Sequence, residues 1–188
     1  MITRRAFTAG MAALALAPAH AFGAPGTSPA PLEILLIRHG EESASGDSVH
    51  LNAAGRTRAD HLSQLFPARF ATPELLFAAR SSKASHRSVE TLTPLAAALH
   101  LRIDDRCDDT QYRKLAKDVL SRADCSGKHL LICWHHSTLP KLAAALGAKH
   151  APPTWPGAQY DRVWQLRFTA TGVVFADLPQ GLGPATSR

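Results

Sequence analysis

Three short apolar segments, each followed by polar residues, mark candidate strands in this chain. They span residues 32–37, 75–78 and 130–134, and nearly every side chain in them is apolar. Near-continuous apolar runs of this length are typical of parallel strands that are buried on both faces. Residues 101–103 form a weaker candidate of the same kind. The pattern therefore predicts a sheet that is covered on both sides.

Segments with apolar side chains at helical spacing lie between these strands. One helix is predicted to open after Asn52, a residue type that caps helix N-termini well. Further helices are predicted over residues 87–99, 109–122 and 139–146. Pro94 is expected to kink the first of these three or to break it, because proline lacks the N–H that an interior helical position needs.

Apolar and polar side chains alternate near the C-terminus. Residues 164–168 and 173–176 form two such segments around a turn at 169–172, which predicts a hairpin with one apolar face. Alternating strands and helices followed by a hairpin predict an α/β protein. We expect a three-layer α/β/α sandwich whose central sheet is mostly parallel and ends in antiparallel C-terminal strands. We expect it to be a single domain over residues 32–177, followed by a flexible tail at 178–188.

The first 21 residues have the pattern of an export signal. Arg4 and Arg5 precede an alanine-rich apolar stretch over residues 9–17, and residues 19–21 form an Ala-x-Ala cleavage pattern. We therefore predict a signal peptide that is cleaved near Ala21, a flexible leader over residues 22–31, and a periplasmic or secreted protein. The paired arginines leave both the twin-arginine route and the general export route open.

Composition and charge exclude several classes of protein. The 188 residues include 21 Lys and Arg against 15 Asp and Glu, a net charge of +6. Loss of Arg4 and Arg5 with the signal leaves 19 − 15, or +4. A modest positive charge favours anionic partners, but no Lys/Arg cluster indicates nucleic-acid binding. The predicted mature chain has no apolar run of about 20 residues, so we expect no stable membrane insertion.

Arginine and histidine side chains stand where the predicted strands and helices meet. Arg38-His39-Gly40 follows the first strand, Arg87 opens a helix, and His135 and His136 follow the strand at 130–134. The carboxyl ends of parallel strands meet at one edge of the sheet, where ligands bind. Guanidinium groups bind phosphate oxygens, and an imidazole can attack phosphorus. The combination indicates phosphoryl chemistry.

Further motifs occur in the same order as in a known family. Residues 51–55 read Leu-Asn-Ala-Ala-Gly and match a Leu-(Ser/Thr)-x-x-Gly motif with Asn in the Ser/Thr position. Residues 87–91 read Arg-Ser-Val-Glu-Thr and match Arg-(Ala/Ser)-x-x-Thr. With Arg-His-Gly and a later strand–His–helix, these features resemble the histidine phosphatase superfamily, which has the phosphoglycerate mutase-like fold. The resemblance spans roughly residues 32–147. Within that superfamily, the chain is similar to a small exported branch.

The resemblance implies a role for each matched position. His39 would be the nucleophile that becomes transiently phosphorylated, and Arg38, Arg87 and His136 would hold the phosphoryl oxygens. The family's helix runs about eleven residues from its second histidine to a closing glycine, which favours His136, with His135 as the alternative. No cofactor and no metal are implied.

Two departures from the family pattern concern the proton donor and the loop after the second strand. The usual donor carboxylate falls near Gln111, and Ser137 replaces the acid that another branch places after the second histidine. The nearest carboxylates are Asp108 and Asp109, and Asp109 is our choice, although an Asp at a helix start can simply be a cap. In the loop before Arg87, the family's common Ser-Pro is missing. Other possible site residues are Glu41, His86 and His135, and Lys83 lies on the same loop.

These observations favour one function and leave alternatives open. The leading hypothesis is an exported, metal-independent phosphatase that hydrolyses phosphate monoesters, either small molecules or exposed phosphate groups, through a phosphohistidine. The alternative is a non-catalytic phosphate- or polyanion-binding protein on the same fold, and a third possibility is metal binding by the histidines.

Overall fold

The computed structural model describes residues 30–43 and 48–181, with the side chains of residues 65–67 left out. The predicted signal peptide and most of the predicted leader and tail lie outside these residues. The described segments, in chain order, are β1 (Glu33–Arg38), α1 (Ala53–Arg69), β2 (Leu75–Ala78), α2 (Arg87–Leu99), β3 (Ile103–Asp104), α3 (Tyr112–Ser121), β4 (His129–Trp134), α4 (Leu139–Ala145), β5 (Arg162–Thr169) and β6 (Gly172–Pro179).

The six strands form one mixed sheet in the order β3-β2-β4-β1-β5-β6. β1 and β2 both pair with β4 in parallel, and β3 pairs with β2 in parallel. β5 runs antiparallel to β1, and the β5–β6 hairpin closes that side of the sheet. This confirms the predicted α/β class, with a mostly parallel sheet and antiparallel C-terminal strands.

Alternate side chains of β1 belong to two separate hydrophobic cores. Ile34 and Leu36 pack in one cluster with residues of α3 and α4, whereas Leu35 and Ile37 pack in the other with residues of α1 and α2. Successive side chains of a strand point to opposite faces of the sheet, so burial on both faces requires the continuous apolar run seen in the sequence. The helices therefore form layers on both sides of the sheet.

Two predicted helices differ in detail. The segment predicted as one helix over 109–122 begins as a 3₁₀ turn over Asp109–Gln111 and becomes α-helical only at Tyr112. α2 continues through Pro94, because Leu92 and Leu95 on either side of it are fully buried. This burial holds the helix although proline removes one backbone hydrogen bond.

The last strand of the sheet runs two residues past the predicted boundary at residue 177. β6 ends at Pro179, and Gln180 is fully buried. The Gln180 amide accepts from Arg58 Nη1 at 3.1 Å and donates to the Arg162 carbonyl at 3.2 Å. A polar anchor of this kind carries no hydrophobic periodicity, so the sequence pattern missed it. Among the described residues, no helix is both long and apolar enough to cross a membrane.

Candidate active site

The ends of two neighbouring parallel strands bring two histidines together. In the register of β1 and β4, Arg38 pairs with Trp134, and the His39 N–H donates to the Trp134 carbonyl at 3.2 Å. His39 and His135 are thus the first residues beyond the two strands. Their rings meet edge to face, with centroids 5.1 Å apart and an interplanar angle of 63°.

The ring of His39 is fixed by its own backbone. Its Nδ1 lies 2.7 Å from the Gly40 carbonyl oxygen. A carbonyl can only accept, so Nδ1 carries the proton and Nε2 keeps its lone pair in the neutral ring. The Gly40 N–H donates to Thr91 Oγ1 at 2.8 Å, and a Cβ at position 40 would come within 2.9 Å of the Gly55 carbonyl oxygen. Glycine at position 40 therefore allows the close approach that orients the imidazole.

Burial keeps the His39 imidazole neutral. The ring is 1% exposed, and this burial lowers the pKa of His39 from 6.5 to about 3, with further lowering from the positive charge of Arg38. The hydrogen bond to the Gly40 carbonyl opposes the shift but is smaller. At neutral pH, Nε2 is therefore unprotonated and keeps its lone pair.

We expect the ring resonances of His39 to show no titration as the pH falls through 6.5, because the folded-state pKa is about 3. The unfolded chain takes up a proton at this position in that interval, so the contribution of His39 to stability is complete above pH 6.5 and is lost as the pH falls towards 3. NMR titration of the histidine ring signals checks this, with His39→Asn identifying the resonance. A midpoint near 6.5 would contradict the expectation.

Arg38 is held on three sides. Arg38 is 1% exposed. Its Nη1 donates to the Gly157 carbonyl, and its Nη2 donates to Glu42 Oε1 at 2.8 Å. Its Cζ lies 3.9 Å from the ring centroid of Tyr160, a cation–π contact. Tyr160 also faces His39, with ring centroids 6.3 Å apart. The segment before β5 therefore covers the arginine and the histidine.

Arg87 approaches the same carboxylate from the start of α2. Its Nη2 lies 2.8 Å from Glu42 Oε2, and its Nη1 donates to the Ser48 carbonyl at 2.7 Å. Glu42 thus bridges Arg38 and Arg87, with one carboxylate oxygen on each guanidinium. The two arginines assigned to phosphoryl binding converge on one point in space.

Three polar atoms in this region are buried without a hydrogen-bond partner among the described residues. They are Arg38 Nε, Arg87 Nε and His136 Nδ1. An unsatisfied buried donor costs about 1–3 kcal/mol, so such groups call for an explanation. Buried guanidinium N–H groups of two neighbouring arginines are suited to an anionic oxygen ligand.

Both histidines after β4 lie in the site, in different surroundings. His135 faces the His39 ring, and among neighbouring charges the negative charge of Asp109 acts most strongly on it. The Nε2 of His136 lies 3.8 Å from where a Cβ on Gly157 would be, and the strongest neighbouring charge on it is Arg38. Burial lowers the pKa of both imidazoles. The assignment of the second pocket histidine to His136 stays a prediction, since both rings are available.

Glu41 points away from this cluster. Its carboxylate receives Arg58 Nε at 2.9 Å and Arg58 Nη2 at 2.6 Å, and Arg58 is itself buried. Arg58 also reaches Gln180, so the Glu41–Arg58 pair ties the loop after β1 to α1 and the end of β6. Glu41, a possible site residue from the sequence, is in this arrangement a structural anchor.

The two aspartates near the start of α3 have separate tasks. Asp108 is the cap: its Oδ1 accepts from the Thr110 N–H at 3.0 Å, and its own N–H donates to Gln111 Oε1 at 3.1 Å. Asp109 is the first residue of the 3₁₀ turn, and its charge raises the pKa of His135 against the larger effect of burial. The capping role suspected for Asp109 therefore belongs to Asp108.

His86 directly precedes Arg87 at the start of α2. The ring of His86 stacks on that of His50, with centroids 5.0 Å apart and planes 16° from parallel. The backbone N–H of His86 donates to the Val49 carbonyl at 2.8 Å. Lys83 is exposed. Nowhere in residues 30–43 and 48–181 do three or more His, Cys, Asp or Glu side chains form a group that could hold a metal ion.

Sequence reasoning missed Glu42 and Tyr160. The only sequence signal for Glu42 is its position four residues after Arg38, which gives no side-chain direction in a loop. Tyr160 ends a Pro- and Gly-containing segment with no periodicity. Both positions are defined by contacts between distant parts of the chain.

Comparison of the whole chain with solved structures finds related folds. A mycobacterial glucosyl-3-phosphoglycerate phosphatase with inorganic phosphate shares 16% identity, with 82% of this chain and 99% of that chain covered and a TM-score of 0.53. The protein histidine phosphatase SixA complexed with tungstate shares 14% identity, with coverage of 79% and 97% and a TM-score of 0.56. A phosphoserine phosphatase from Entamoeba histolytica, in complex with 3-phosphoglyceric acid, shares 13% identity, with coverage of 77% and 94% and a TM-score of 0.54.

No protein-family model matches the chain, and the comparison with curated proteins gives no match. At identities this low, the structural likeness shows the fold and leaves the activity open. The likeness extends over most of the chain and nearly all of each related chain. The structural likeness therefore agrees with the resemblance in the motifs as far as the fold: the chain has the α/β fold of these solved phosphatases.

Proposed function

We propose that this protein is a phosphatase that hydrolyses phosphate monoesters through a phosphohistidine at position 39. The observation that carries the proposal is the convergence of Arg38 and Arg87, with buried unpaired Nε atoms, beside a neutral His39 whose Nε2 lone pair is available. Phosphoryl transfer needs little from a protein beyond positioning and fixed positive charge. These residues supply both.

In the proposed reaction, His39 Nε2 attacks phosphorus. An N–P bond forms while the ester P–O bond breaks, and the departing oxygen takes a proton from Asp109. Water then attacks phosphorus, the N–P bond breaks, and orthophosphate leaves, while a proton that came with the attacking water restores the acid form of Asp109. Arg38 and Arg87 neutralise the phosphoryl oxygens in both steps, and His135 and His136 donate further hydrogen bonds.

Proton transfer by Asp109 rests on its surroundings. Asp108 is occupied by the cap, whereas the charge of Asp109 acts on His135 next to His39. Asp109 is thus a carboxyl group at the end of the sheet where the leaving oxygen would be. We also propose that the protein is exported, on the strength of residues 1–21.

Trapping of the intermediate tests the function. The purified protein is mixed with a radiolabelled phosphate monoester and quenched during turnover in alkaline denaturant, because phosphohistidine hydrolyses in acid. Peptide mapping is expected to find the label on His39. Orthophosphate binding without any label, over a panel of phosphate esters, would instead favour the non-catalytic phosphate- or polyanion-binding protein.

A further inference from the structure

The Glu42 carboxylate occupies the place between the two arginines where the proposed function requires a phosphoryl group. Its Oε1 lies 2.8 Å from Arg38 Nη2 and its Oε2 lies 2.8 Å from Arg87 Nη2. A guanidinium binds carboxylate and phosphate oxygens in the same planar geometry. In this arrangement, Glu42 therefore makes the contacts that two phosphoryl oxygens would make.

The site carries too little positive charge to balance Glu42 and a phosphoryl group at the same time. Arg38 and Arg87 contribute +2 and Glu42 −1, while burial lowers the pKa of all three neighbouring imidazoles, to about 3 for His39, and keeps them neutral. The sum is +1 with Glu42 in place and +2 without it. A phosphate monoester carries about −1.5 to −2 charge at neutral pH. Departure of the carboxylate therefore brings the charge of these groups closer to that of the phosphate.

Glu42 satisfies the arginines incompletely. With Nη2 on the carboxylate and Nη1 on a backbone carbonyl, each guanidinium still has a buried Nε without a partner. Each carboxylate oxygen meets one guanidinium group, and neither meets an Nε, whereas a phosphoryl group offers three oxygens to the same donors. A better occupant can therefore displace this side chain.

The side chain of Glu42 can leave without movement of its backbone. Its carbonyl accepts from Asn52 Nδ2 at 2.9 Å, and residue 42 forms an antiparallel bridge with Leu51. The Glu42 side chain is 23% exposed, against 1% for Arg38 and 12% for Arg87. Rotation of this carboxylate towards solvent uncovers both arginines while the loop stays in place.

We infer that Glu42 is a built-in competitor of the phosphoryl group: it neutralises Arg38 and Arg87 in the free protein and is exchanged for substrate on binding. This inference rests on the proposed phosphoryl site. Its consequence is that Glu42 limits affinity for phosphate and protects the two buried arginines from repelling each other while the site is empty.

Orthophosphate binding to Glu42→Gln tests the inference. The amide keeps the size of the side chain and removes its charge, so the dissociation constant at neutral pH, measured by calorimetry, should fall at least about tenfold relative to wild type, or about 1.4 kcal/mol. Glu74→Gln is the matched control, because Glu74 pairs with Lys128 in an exposed ion pair and takes no part in the site. Its affinity for orthophosphate should equal that of the wild type.

Unchanged or weaker binding by Glu42→Gln, with wild-type binding intact, overturns the inference and makes Glu42 a positioning residue. Absence of orthophosphate binding in wild type and both variants overturns the phosphoryl site itself, and the inference with it. Where Glu42→Gln is less stable, the rise in melting temperature with orthophosphate reports the same affinity, since ligand stabilises the folded state by RT ln(1 + [L]/Kd). Glu42→Ala should then show the same gain.

Discussion

Replacing His39 by asparagine is expected to lower the hydrolysis of phosphate monoesters by about 10⁴-fold or more, on the scale seen when a covalent nucleophile is removed. The asparagine amide can still donate to the Gly40 carbonyl, as Nδ1 does at 2.7 Å. It has no lone pair that can attack phosphorus in place of Nε2. The variant should therefore fold and lose only the covalent step.

Orthophosphate binding separates loss of chemistry from loss of the site. Arg38 and Arg87 are unchanged in His39→Asn, so the affinity for orthophosphate should stay within a few-fold of wild type. His100→Asn is the matched control, because His100 is exposed at the C-terminus of α2 with φ of 55°, a conformation that asparagine also adopts. Substantial residual turnover by His39→Asn would mean that another group attacks phosphorus.

The strands could be predicted from the sequence because burial on both faces of the sheet leaves a continuous apolar run. A strand between two helical layers needs an apolar side chain at every position, and residues 34–37 and 130–134 meet this condition. The end of the domain is harder to predict from the sequence. A residue such as Gln180 is held in place by hydrogen bonds to Arg58 and Arg162. Those partners come from distant segments and leave no local pattern.

The candidate site was predictable where a strand end fixes a side chain. Arg38 and His39 follow β1 directly, and Arg87 is the first residue of α2. The helix-to-glycine spacing favoured His136, but the strand register gives a second criterion that points to His135. β1 and β4 end in register at Arg38 and Trp134, so the next residues, His39 and His135, lie side by side. That criterion can be used only if the ends of both strands are predicted from the sequence to within one residue.

Glu42 and Tyr160 lay beyond prediction for a different reason. Glu41 and Glu42 are adjacent identical residues, and nothing local tells which one turns into the site. In the structure, Glu41 forms an ion pair with Arg58 on α1, whereas Glu42 forms ion pairs with Arg38 and Arg87. The partition depends on where three arginines from separate segments come together, which is a property of the tertiary fold.

Asp109→Asn is expected to lower the turnover of alkyl phosphates by about 10²-fold or more, while leaving p-nitrophenyl phosphate nearly unaffected. An alkoxide is a poor leaving group and needs a proton in the transition state, which the asparagine amide cannot supply. p-Nitrophenolate leaves readily without one. The ratio of kcat values for the two esters, compared between variant and wild type, therefore measures general acid catalysis apart from any general damage to the site.

Asp108→Asn is the matched control for this comparison. Asparagine caps helices as well as aspartate does, so the cap that Asp108 forms with Thr110 should survive. Both esters should then be turned over at wild-type rates. Equal losses on the two esters in Asp109→Asn would indicate that Asp109 acts by positioning His135, whose pKa it raises. No loss on either ester would remove Asp109 from the reaction, and the proton would have to come from a different group or from water.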